Sequence, residues 1–162
     1  MEDKDFRQGI FFGINSGILA TVGLIAGIAQ TTSNPLYIIV SVVSLSISDT
    51  LAEGYGMYIS KKAENTKESG WGPFFSMISI LLVKTLIMIL FLLPLLFYWN
   101  LKYYKNLLWP LIYSVIVLSI IDIELGKLRN ENPSKYLATH FVLLLFILVT
   151  TKQLGSYLSK YE

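Results

Sequence analysis

Long apolar stretches separated by short polar ones set the pattern of this chain. Five runs stand out, at about residues 9–30, 36–60, 71–99, 107–126 and 136–158. Each supplies the ~20 residues that a helix rising 1.5 Å per residue needs to cross the hydrocarbon layer of a bilayer. The connectors TTSNP, KKAENTKESG, NLKYYKN and KLRNENPSK are short and polar. The pattern predicts an all-α, polytopic integral membrane protein with five transmembrane helices, a single transmembrane domain over residues 1–162.

Basic residues set the predicted orientation. With the N-terminus inside, the inner segments hold Lys4, Arg7, Lys61, Lys62, Lys67, Lys127, Arg129 and Lys135. The outer segments hold only Lys102, Lys105, Lys152 and Lys160, so the positive-inside rule predicts N-in, C-out. Trp71, Trp99, Tyr98, Tyr103, Tyr104 and Trp109 fall where aromatic belts meet the headgroups. The start, MEDKDFRQG, mixes acids with bases and the first run lacks an A-x-A exit, so the first helix is expected to stay in the protein rather than be cleaved.

Composition agrees. The chain is 54% apolar and 15% charged, with a mean hydropathy of +0.58, against about 45–50% and about 25% for ordinary soluble domains. A net charge of +2 without a basic stripe excludes nucleic acid as the expected partner. The absence of cysteine excludes disulfides, thiolate metal sites and cysteine nucleophiles. There is one histidine, and no H-E-x-x-H, G-x-S-x-G or phosphate-binding glycine loop, so an enzyme is not expected.

The candidate chemistry lies on the second run. Asp49 and Glu53 are four residues apart, one turn along one helical face, with Ser46 before them and Met57 after. An ionised carboxylate inside a membrane helix costs about 2.5–3.5 kcal/mol on insertion scales, so a chain that keeps two has a use for them. Carboxylate, carboxylate and thioether on one stripe suit a divalent cation of intermediate softness. The plainer reading is that both acids hydrogen-bond neighbouring helices, and that Met57 fills space.

Other polar residues fall within the apolar runs. Asn15 and Ser16 lie at the height expected of Glu53. Gly13, Gly17, Gly23 and Gly27 mark faces for close helix packing, against the second helix or a second copy of the first. Lys84, mid-way along the third run, needs an anion, and Asp49 is the acid at similar depth, so an ion pair between them competes with the ligand reading. Asp122 and Glu124 point in different directions, and Glu124 is near enough to the end to be solvated. His140 could relay protons with Asp122 or sit as a satisfied interfacial histidine.

The runs FFGINSGILATVGLIAG, AEGYGMYISKKAE and PFFSMISILLVKTLIMILFLLPLLFY, with the ending LGKLRN and LGSYL, resemble in order the vacuolar iron transporter family. Its opening helix typically reads G-x-N-D-G and its second helix S-M-A-x-G-E-Y-x-S. The resemblance covers nearly the whole chain. It implies a homodimer that moves ferrous or similar divalent ions, iron or manganese, in exchange for protons, along a path between the first and second helices of both copies. Ser16 stands where the family has an aspartate, Glu53 where it has a methionine, and Met57 where it has a glutamate. The segment 61–70 is too short for the cytosolic metal-collecting helices of better-known members.

The expectation is therefore a transmembrane transporter of divalent metal cations, possessing no cofactor. Metal contacts fall to Glu53, Asp49, Met57 and Ser16, and Lys84, Asp122 and His140 serve as proton relays or ion pairs. Its partners are the lipid bilayer, a second copy and metal ions, and its place is the cell membrane in a prokaryote. A membrane scaffold without transport and a proton-coupled exporter of small organic cations are the alternatives. The exporter calls for aromatic residues around the acid, and Tyr55 and Tyr58 lie mostly off the Glu53 face.

Overall fold

A computed structural model of the protein describes residues 2–64, 71–98 and 102–161. Lys67 and Trp99 lie outside the described residues, as do the side chains of Tyr98, Lys102 and Tyr103. Seven helices follow in order: α1 (Glu2–Thr31), α2 (Pro35–Glu64), α3 (Gly72–Leu90), α4 (Leu93–Tyr98), α5 (Lys102–Lys105), α6 (Leu108–Arg129) and α7 (Ser134–Leu158). Five of them, α1, α2, α3, α6 and α7, are long and apolar enough to cross a membrane. The chain is an all-α, membrane-embedded protein.

Local chemistry sets several boundaries. Asn34 Oδ1 accepts the Leu36 N–H at 3.0 Å and Pro35 opens α2, a position where its missing donor costs nothing. α6 ends in a left-handed Asn130, φ 53°. There Glu131 N–H returns to Gly126 O at 3.0 Å and Asn130 N–H to Lys127 O, satisfying carbonyls that the helix leaves open.

The third run is not one helix. α3 stops at Leu90 and α4 starts at Leu93, because Pro94 lacks an N–H and its ring crowds the carbonyl four residues back, at Leu90. The break frees the Phe91 carbonyl from the helical ladder. Tyr104 Oη donates to it at 2.5 Å and Trp109 Nε1 at 3.2 Å, so the released acceptor is satisfied by side chains. Tyr104 is thus fully buried rather than sitting in an aromatic belt. Burial raises its phenol well above the usual range.

The five spans alternate in direction. Asp5 of α1 pairs with Lys61 near the end of α2, and its backbone carbonyl accepts from Ser76 near the start of α3 at 2.8 Å. At the other end Gln30 Nε2 donates to Lys105 O at 3.3 Å, and Gly27 meets Gly155. The start of α1 and the end of α7 therefore lie at opposite ends of the bundle.

α1 is the central helix, and its glycines explain how. Gly9, Gly13 and Gly17 face α3: a Cβ on Gly13 would lie 3.3 Å from Ile80 Cα, and one on Gly9 only 1.9 Å from Ser79 Oγ. Gly23 and Gly27 face α7, against Ile147, Thr151 and Gly155. The small-residue faces do bring backbones together, as expected. Their partners are α3 and α7 instead of α2 or another α1, because helices in the same direction can lie side by side once α2 and α6 carry the chain back across. Ile18, Val22 and Ile25 of α1 complete the core with Ile38, Val42, Met88, Phe91 and Leu148.

Outside, the spans are oily. Val40, Ile47 and Leu51 of α2, Leu82 and Leu86 of α3, and Val142 and Phe146 of α7 are all exposed, a surface fit for hydrocarbon.

Candidate functional site: a lysine held by two carboxylates

On α2, Ile38, Val42, Ser46, Thr50 and Gly54 form the buried stripe, packed largely on α3. Asp49 and Glu53 flank it, so both carboxylates turn toward the α1–α3 side while keeping 30% and 28% of their side chains exposed. From α3, Lys84 reaches between them. It is fully buried, and its Nζ lies 2.6 Å from Asp49 Oδ2 and 2.6 Å from Glu53 Oε2. Ser16 Oγ of α1 donates to the same Glu53 Oε2 at 2.7 Å. Gly17 makes room for the lysine stem, since a Cβ there would stand 3.1 Å from Lys84 Cγ.

Three helices thus converge on one charged cluster. The ammonium donates to both acids, and charge-assisted hydrogen bonds of this length are about twice as strong as neutral ones. Two carboxylates and one ammonium leave a formal charge of −1 inside the helix bundle. The ion pair expected between Lys84 and Asp49 exists, and Lys84 also takes Glu53, the residue expected to bind metal. Met57, one turn beyond Glu53, is half-buried. Among the described residues no three of His, Cys, Asp and Glu are gathered as metal ligands, so one copy brings two carboxylates and no more.

α2 also carries a feature that the sequence reading passed over. Ser44, Ser48, Ala52, Gly56 and Ser60 recur every fourth residue, and all five are exposed. A Cβ on Gly56 would meet nothing within 4 Å. This flat strip runs beside Asp49 and Glu53 along the outer face. It was readable as small residues at i+4 spacing, but the larger Tyr, Leu and Ile between them masked it.

A second polar pair lies between α6 and α7. His140 Nδ1 donates to Asp122 Oδ1 at 2.7 Å. Asp122 is fully buried, and its Oδ2 has no hydrogen-bond partner. A cavity of about 300 Å³ lined by Leu118, Ser119, Phe141 and Leu144 adjoins the pair. Glu124 points outward and pairs with exposed Lys127 at 2.7 Å, as a solvated acid near a helix end should. Asn15 turns away from Glu53, and its Oδ1 is buried without a partner. Tyr55 and Tyr58 stack on each other with centroids 6.1 Å apart, and Tyr55 is exposed.

No family model, curated protein or solved structure matches this chain.

Proposed function

We propose that the protein moves divalent metal cations, iron or manganese, across a membrane in exchange for protons, with Asp49 and Glu53 as the carboxylates that take the cation. The observation that supports this reading is the Lys84 ammonium held by both acids inside the spans. Two carboxylates that already hold one cation between them can hold another, and a doubly charged ion would balance their two negative charges. Lys84 then acts as the resident competitor. When the metal takes both carboxylates it displaces the ammonium that they hold.

A second copy completes the coordination in this reading. The strip Ser44, Ser48, Ala52, Gly56 and Ser60 lets two α2 helices approach closely. A two-fold dimer on that face would bring a second Asp49 and Glu53 near the first pair, with Met57 and Ser16 as lesser contacts. The resemblance to the vacuolar iron transporter family points the same way, and a cell membrane is the proposed location. His140 and Asp122 stand as the proton relay, with an acceptor oxygen of Asp122 still open.

Proteoliposomes loaded with a metal-sensitive dye test it against Fe²⁺, Mn²⁺, Zn²⁺ and Ca²⁺. Ion-selective flux is expected from the wild type, and a fall of tenfold or more in Glu53→Ala, since about 1.4 kcal/mol of lost binding already gives tenfold. Folded wild type that carries none of the four ions ends the transport reading. The scaffold reading would then lead, because Lys84 satisfies both acids without any cargo.

A further inference from the structure

A large cavity lies away from the carboxylate cluster. It is a cleft of about 890 Å³ between α1, α6 and α7, open at the end of the bundle where α1 starts and α6 finishes. Its two long walls carry the same polarity gradient. On α1, Lys4 and Arg7 stand at the mouth and Phe11 and Phe12 lie deeper. On α6, Arg129 stands at the mouth, with Leu125 and Ile121 one and two turns further in. From Lys4 to Asn15, at the far end of the lining, α1 runs about 16 Å at 1.5 Å per residue. That is roughly half the ~30 Å hydrocarbon thickness, one leaflet.

We propose that this cleft binds an anionic phospholipid, its phosphate on Lys4 and Arg129 and an acyl chain along Phe12, Ile121 and Leu125. Basic pockets between membrane helices take anionic headgroups, and apolar walls of leaflet depth take a chain. A free phosphate would use only the mouth and leave the deep apolar walls without an occupant. Arg7 has a partner within the protein and Arg129 touches the Tyr136 hydroxyl, but a guanidinium carries five N–H donors, so Arg129 keeps donors for the phosphate beside Lys4. Tyr136, on the rim, donates to Glu131 at 2.5 Å, which ties that acid to the tyrosine hydroxyl. His140, on the inner wall, already gives its Nδ1–H to Asp122.

The test uses the full chain in a neutral detergent, with native mass spectrometry and thermal unfolding as readouts. Short-chain phosphatidylglycerol, phosphatidylcholine and inorganic phosphate are the probes. Phosphatidylglycerol is expected to bind in preference and to raise the unfolding temperature. The Lys4→Gln/Arg129→Gln variant is expected to bind it about 25-fold more weakly, about fivefold for each charge removed. Lys62→Gln/Lys135→Gln, with the same net charge loss outside the cleft, is expected to bind as wild type. Equal binding of phosphatidylcholine, equal stabilisation by inorganic phosphate, or an equal loss in the Lys62/Lys135 variant would each overturn the assignment.

Discussion

Replacing Lys84 with methionine is expected to cost the apo protein about 3–5 kcal/mol, the usual effect of removing one partner of a buried ion pair. Asp49 and Glu53 would be left one turn apart with no counter-ion, and Ser16 offers only one hydrogen bond to one of them. The partial exposure of both side chains, 30% and 28%, puts the effect toward the lower end of that range. Thermal unfolding in detergent measures it. Adding Asp49→Asn and Glu53→Gln to Lys84→Met should restore most of the loss, because the triple variant buries no uncompensated charge. A triple variant as unstable as the single one would mean that the lysine stem, lying against Gly17, matters more than its charge.

The same variant separates the two functional readings. If the carboxylates take a metal, Lys84→Met removes the competing cation, and Mn²⁺ should stabilise this variant more than it stabilises the wild type. If the cluster only joins three helices, the metal stabilises neither.

The other large effect is expected at Gly155. A Cβ there would lie 2.2 Å from Gly27 O and 3.0 Å from Gly27 C, both backbone atoms with no rotamer to yield. Gly155→Ala must therefore part α1 and α7. Overpacking of this kind costs about 1–3 kcal/mol, and with backbone on the receiving side the upper part of the range is expected. Besides Gly155, only Leu144 and Leu148 of α7 are buried. Hydrogen exchange should show the second half of α7 losing protection before the rest of the bundle. Ser156→Ala is the matched control, since Ser156 is exposed on the same turn of α7 and its replacement should change stability by no more than about 0.5 kcal/mol. Protection in Gly155→Ala equal to wild type would show that the two helices are not in contact along that seam.

How much of this was legible beforehand depends on whether a property belongs to one helix or to the space between helices. The five spans were readable because hydrocarbon demands ~20 apolar residues, whatever the neighbours. The break at Phe91–Leu92 was available in Pro94, yet hydropathy runs on through it. The depth of Lys84 matched Asp49, and that pair could be foreseen by counting turns. Its second bond to Glu53 could not, since it depends on how α2 is rotated against α3. The glycine faces of α1 announced close packing, but periodicity names a face and not the helix that meets it. Asp122 and His140 were paired on depth alone, while the open Oδ2 of Asp122 emerges only with side chains in place.

The Phe91 carbonyl bears on how the chain can be made. Hydrocarbon tolerates no bare backbone acceptor, and this one is capped by Tyr104 and Trp109, which are synthesised after it. While α3 alone has left the insertion machinery, the kink at Pro94 still lacks both donors. The kink is therefore completed only when the head of α6 is in place, and until then water or a local tightening of the helix has to serve the Phe91 carbonyl. A chain stalled before Tyr104 would carry that acceptor without either of its native donors.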